Sequence, residues 1–192
     1  MSGTGWSYVA PYQDDIEKAL EELRQDVFDR GEYERPRDAL DNLNDFEGLG
    51  FFSTDERGRR EIIAEFSAES LNVLIERVGV AGLRTELRSL TDAPVLTRID
   101  DLRALQCLSA DGTHSILDIT RVASEPGFGA VVPVPPEEVI RLFGTDKPNR
   151  QMIEDALRWG KLDPGPRWQA VCLIAYDDDR PTSIYFVGSS GD

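Results

Sequence analysis

His114 is the only histidine in the chain, and it lies in Gly112-Thr113-His114-Ser115 with Asp118 four residues on. An imidazole titrates near neutral pH, so a histidine among hydroxyls and a carboxylate has the composition of a general base with an orienting acid. The spacing limits that chemistry. Thr113 to Val122, THSILDITRV, is β-branched and reads as a strand. On a strand His114 and Asp118 share a face but sit about 13 Å apart, and Ser115 points the other way. A direct Ser-His-Asp arrangement within this peptide is therefore not expected, and a site would need residues from elsewhere. His114 and Asp118 are the catalytic candidates of a hydrolase or transferase, set against an incidental structural histidine. The terminal Ser189-Ser190-Gly191-Asp192 is either an exposed tail or a loop lining a pocket beside His114.

Asp177-Asp178-Asp179 is the other cluster with the right atoms for chemistry. A calcium loop spaces its ligands and bends at a glycine, and three adjacent aspartates before Arg180-Pro181 do neither, so a solvated hairpin turn is expected instead. Cys107 and Cys172 have no metal spacing and no disulfide framework. Cys172 lies in an apolar run and reads as a small buried hydrophobe. No metal and no cofactor is expected. With no glycine-rich phosphate loop and no regular βαβ alternation, a dinucleotide fold is unsupported.

Charge points to a different kind of chemistry. The formal net charge is −15, which disfavours nucleic acid, because phosphate contacts need clustered Lys and Arg. Residues 14 to 56 hold 15 acids against 5 bases. Such a concentration either serves solubility or attracts a basic surface. On a helix from Asp14 to Arg30, Ile16, Leu20, Leu23 and Val27 form the inward stripe, which leaves Glu21, Glu22 and Asp26 outward as partner-binding candidates. Phe51 and Phe52, beside Gly48 and Gly50, are the candidate apolar anchors. The leading expectation is an acidic protein-binding module, immunity- or antitoxin-like, that recognises a basic protein. The alternative is the small hydrolase or transferase with His114 as general base.

The elements that would position these residues can be read in order. Trp6 to Tyr12 is a short strand ended by Pro11. Asp14 reads as the cap of the first helix, with Glu17 as its capping-box partner and Gly31 as its stop. Residues 57 to 78 and Val80 to Leu90 give helical periodicity, and Ala93-Pro94 interrupts it. Ile99, Leu102, Leu105 and Leu108 mark another short helix. Ala130 to Val134 is a strand. Pro136 opens a helix at a position that suits its ring, with Val139, Ile140, Leu142 and Phe143 inward. Asn149 caps one more helix through Met152, Ile153, Ala156 and Leu157. Ala170 to Tyr176 and Ile184 to Val187 are apolar on both parities and are joined by the polar loop Asp177 to Pro181, so they read as a hairpin buried on both faces.

These elements predict an α+β fold over 1–192, a single domain with a mostly antiparallel sheet, helices packed on it and the C-terminal hairpin central. Residues 48–94 read as a helical insertion. No apolar run of about 18 residues and no leader is visible, so no membrane span is expected. Eighteen of the 21 basic residues are arginine, the composition of a high-GC bacterial genome and a cytoplasmic protein. The chain resembles a set of acidic proteins from high-GC bacteria to which no activity is attached. The resemblance lies in Gly5-Trp6 with Pro11-Tyr12-Gln13, in Gly112 to Asp118, in Phe143-Gly144-Thr145 with Lys147-Pro148, and in Tyr185-Phe186 followed by Gly188 and Ser190-Gly191-Asp192. It implies one compact domain to which roughly Gly48 to Pro94 has been added, and no mechanism.

Overall fold

The computed structural model of the chain describes residues 5–36, 69–106, 109 and 112–190. It divides into two compact units, Met1–Glu34 with Thr113–Asp192, and Arg35–Gly112. The interval 48–94, read as a helical insertion, falls wholly inside the second unit, and Phe51 and Phe52 lie outside the described residues. Among the described residues no helix is long and apolar enough to cross a membrane.

The first unit is built on five strands: β1 (Gly5–Pro11), β2 (Arg121–Val122), β3 (Ala130–Pro133), β4 (Gln169–Asp177) and β5 (Arg180–Ser189). Their order in the sheet is β1-β5-β4-β3-β2. β5 is antiparallel to both neighbours, whereas β3 lies parallel to β4 and β2 parallel to β3. The sheet is therefore mixed, which corrects the mostly antiparallel expectation while leaving the α+β class. The reason is the stretch between β3 and β4. It holds two helices, α4 (Pro136–Phe143) and α5 (Arg150–Arg158), and a connection that long carries the chain back to start a parallel neighbour.

The hairpin forms where its two apolar runs place it, but its loop is shorter than the composition implied. Pairing continues to Asp177↔Arg180, and only Asp178 and Asp179 turn the chain, at φ 45° and 62°. A two-residue hairpin turn needs positive φ at both positions, and aspartate is among the few non-glycine residues that tolerate it. A register shift at Ala175/Tyr176 absorbs the extra residue, and the Thr182 hydroxyl donates to the Ala175 carbonyl over 3.2 Å.

Both faces of the hairpin are covered. Leu173, Ala175 and Tyr185 pack with Ile153 and Ala156 of α5, flanked by Leu142 and Phe143 of α4. Ile140, expected inward, is 50% exposed: it lies off the stripe that Val139, Leu142 and Phe143 share. On the opposite face the register sets Trp6, Tyr8 and Ala10 beside Gly188, Phe186 and Ile184. Tyr8 reaches the backbone of Ile116, and burial raises its pKa ahead of the field of Glu32. Cys172 is buried, and burial pushes its thiol up to about 12, so it packs as an inert small hydrophobe.

Helix α1 (Ile16–Arg30) shows what caps and stripes decide. Its N-cap is Asp15, whose carboxylate accepts from the Lys18 N–H at 3.0 Å. Asp14, the expected cap, instead accepts from the Tyr12 hydroxyl at 2.7 Å. Leu20, Leu23, Val27 and Phe28 are buried, and Gly31 ends the helix at φ 68° as its position implied.

The second unit contains α2 (Glu69–Asp92) and α3 (Ile99–Gln106). Gly79 kinks α2 at φ 70°, at the boundary between its two periodic runs. Arg77 spans that kink. Its guanidinium meets Glu86 at 2.7 Å beyond the kink and the buried Asp101 of α3 at 2.8 Å. Arg35 caps the far end, donating to the carbonyls of Leu90, Ala93 and Pro94.

A Cβ added at Gly188 would lie 2.0 Å from the Trp6 indole, so that ring occupies the space over the glycine. Gly188→Ala is expected to cost about 1–3 kcal/mol. In a double-mutant cycle by urea denaturation, most of that cost should disappear in a Trp6→Leu background. Additive losses would show that the ring does not sit there.

Candidate functional site

The His114 segment is not a strand. Apart from Arg121–Val122, the stretch 113–122 folds as a left-handed residue followed by a single 3₁₀ turn, Ile116–Asp118. His114 has φ 55°, a region that histidine visits more readily than most side chains. Ser115 caps the turn, its Oγ accepting from the Leu117 N–H at 3.2 Å. The cause lies in the side chains. Thr113, Ser115 and Asp118 offer the backbone local hydrogen bonds that compete with a ladder.

Asp118 is 3% exposed and turned toward its own segment. Its Oδ1 accepts from the Thr113 N–H at 2.6 Å and from the Thr113 hydroxyl at 2.7 Å. The Thr113 hydroxyl lies 2.9 Å from Ser115 Oγ. Burial raises the Asp118 pKa; the hydrogen bonds from Thr113, the nearness of the Ser190 side chain and the field of His114 oppose the rise without cancelling it. Ser190 is fully buried at the end of β5, so this part of the terminal segment is not an exposed tail. Gly191 and Asp192 lie outside the described residues.

His114 itself keeps 23% of its side chain exposed, and its Nε2 sits 4.0 Å from a carboxylate oxygen of Glu34, which is 76% exposed. The two candidate catalytic residues thus have different surroundings. Asp118 holds the turn together from inside, and the acid paired with the imidazole is Glu34, which the sequence reading did not single out. The link between Glu34 and this segment is the fold itself: the Glu34 N–H donates to the Thr113 carbonyl at 2.8 Å.

The acidic candidates stand apart from this cluster. Glu21, Glu22 and Asp26 are all exposed on α1, as the stripe required, together with Glu17 and Asp29. Some are tied locally. Glu22 pairs with Lys18 at 3.7 Å and accepts from Gln13, and Asp26 pairs with Arg30 at 2.9 Å. Exposed pairs of this kind contribute about 0–1 kcal/mol, so they arrange the charges without removing the field of the face. From Asp14 to Glu34 nine acids stand against three bases, one of which, Arg24, is buried.

At the N-terminal end of α1 the chain forms a shallow, mostly apolar groove of about 780 Å³, lined by Asp14, Asp15, Ile16, Glu17, Val122, Ala123, Ser124 and Pro133. Sequence reasoning missed it because it joins residues far apart in the chain. The one local signal was a carboxylate, Glu17, near the helix start. An aromatic pair was missed for the same reason: the exposed Phe128 (62%) lies 5.0 Å from the half-buried Trp168 between ring centroids. Among the described residues no three His, Cys, Asp or Glu side chains converge as metal ligands. No protein-family model, no curated protein and no solved structure matches the chain.

Because folding raises the Asp118 pKa, the native state binds that proton more tightly than the unfolded chain. The associated stability is complete below the ordinary aspartate range and is lost as pH rises through the folded value. Asp118→Asn removes the titration and keeps an acceptor for Thr113. Urea midpoints across a pH series should show the variant gaining on the wild type as pH rises from the acid side, then a plateau. A pH-independent difference would mean that burial does not disfavour the carboxylate.

Proposed function

We propose that the chain is a protein-binding module that captures a basic protein partner through the outward face of α1, in the manner of an immunity protein or antitoxin. One observation carries this: Leu20, Leu23, Val27 and Phe28 of α1 are buried while Glu17, Glu21, Glu22, Asp26 and Asp29 are all exposed on the same helix. A carboxylate-rich face of this kind raises the local concentration of a positively charged partner and steers its approach. The overall charge of −15 acts in the same direction and against nucleic acid.

A hydrolase or transferase using His114 as general base is the second reading, favoured by one observation. His114 is held in left-handed backbone with a partly exposed ring beside Glu34. On that reading Glu34, rather than the buried Asp118, would orient the imidazole.

Reversing Glu21, Glu22 and Asp26 together to lysine should leave the fold intact and weaken capture of a basic protein in pull-downs. The association rate should fall steeply with added salt for the wild type and much less for the variant. Equal recovery by both proteins would reduce the acidity to a solvated face. His114→Ala should leave capture within a few-fold. Turnover of a hydrolase or transferase substrate that drops roughly 10²-fold in that variant, with folding preserved, would favour the enzyme instead.

A further inference from the structure

The sheet ends at β2, and its free edge is closed by a side chain rather than by a strand. Arg121 N–H and Ala123 N–H donate inward, to the carbonyls of Gly129, just before β3, at 3.3 Å and of Val131 in β3 at 2.9 Å. Val122, between them, faces the other way, as alternation along a strand requires. Its N–H donates to Glu17 Oε2 at 2.9 Å. A carboxylate therefore stands where the carbonyl of a neighbouring strand would stand, and both Glu17 and Val122 line the groove, to which Ile16, Ala123 and Pro133 add apolar surface.

We propose that this groove takes an extended segment of the basic partner as an added edge strand, with apolar side chains seated in the groove and a lysine or arginine taken by Glu17. This rests on the proposed capture of a basic protein and assigns where and how part of it is held. The exchange balances in hydrogen bonds. A carbonyl of the incoming segment accepts from the Val122 N–H, and the released carboxylate pairs with the cation. Backbone bonding supplies affinity and the alternating side chains supply selectivity, as in other cases of strand addition.

Charge selects the sign of the occupant. Asp14, Asp15 and Glu17 ring the groove, and the helix N-terminus beside them contributes only about half a positive charge. Three carboxylates outweigh it, so a basic strand is admitted and an acidic one repelled. Glu17 is also a bond that must be displaced. That suits a reversible edge: while the partner is absent, an open strand edge would recruit unrelated chains.

The test is an NMR titration of the full chain, isotopically labelled, with a short capped peptide alternating valine and lysine. Saturable shifts at the Val122, Ala123, Ser124 and Glu17 amides are expected, weakened roughly tenfold by Ser124→Lys, which places a like charge in the groove without touching the Glu17–Val122 bond. A valine–glutamate peptide should not bind. Shifts confined to Glu21, Glu22 and Asp26 would overturn the groove assignment and leave capture by α1 standing. So would absence of peptide binding in a protein that still retains a basic partner. Equal binding of the glutamate peptide, or no effect of Ser124→Lys, would also overturn it. Loss of both peptide binding and partner capture would remove this inference together with the reading it rests on.

Discussion

The first unit depends on how the chain leaves and re-enters it. The exit is at Glu34 and the return at Thr113, and the two are joined by a backbone hydrogen bond of 2.8 Å. Thr113 is fully buried and also supplies two donors to Asp118. That carboxyl ties the 3₁₀ turn, of which it is part, back to Thr113. A buried carboxyl is tolerated only when its acceptors are met, and each unmet group costs about 1–3 kcal/mol. The requirement to satisfy Asp118 therefore fixes two things at once: the return point of the chain and the turn carrying His114.

Elements set by local chemistry were legible in the sequence. Gly31 and Gly144 end helices in left-handed backbone, Pro136 opens one, and Asn149 caps another by accepting from the Met152 N–H. The hairpin, apolar on both parities, lies inside the sheet. What could not be read was whatever one element does to another. The parallel pairing of β3 with β4 follows from where two helices return the chain, and neither strand carries that information alone. The His114 segment has the β-branched composition of a strand, but its hydroxyls and carboxylate bond locally and win. The cap is Asp15 rather than Asp14, whose carboxylate accepts from the Tyr12 hydroxyl instead.

The candidate sites divide along the same line. The outward acids of α1 followed from helical period, so their exposure was predictable. The groove, the Glu34–His114 contact and the Phe128–Trp168 pair each join residues distant in the chain or placed by a turn, and no spacing rule reaches them. Asp118 was noticed for its chemical type, and its surroundings were beyond what spacing could show. A carboxylate four residues from a histidine is close enough to influence it, but here burial turns that group toward Thr113.

The acids of the first helix are not equivalent, and their separation clarifies what a basic partner would meet. Asp15 is committed to the helix cap and Asp14 to Tyr12. Glu17 is committed to the sheet edge, which couples the start of α1 to β2. Glu22 and Asp26 have cations one turn away, in exposed geometry that water and salt screen. Approach is governed by the summed field, to which every one of these carboxylates contributes whatever its local partner. Retention is governed by groups whose existing bond can be exchanged for a better one. Glu17 meets that condition through its bond to a backbone N–H beside an apolar groove, whereas Glu21, Glu22 and Asp26 act from an open helix face. On the proposed reading, one acidic helix divides the work of binding along its length, with steering over its exposed turns and capture at its first turn against the sheet.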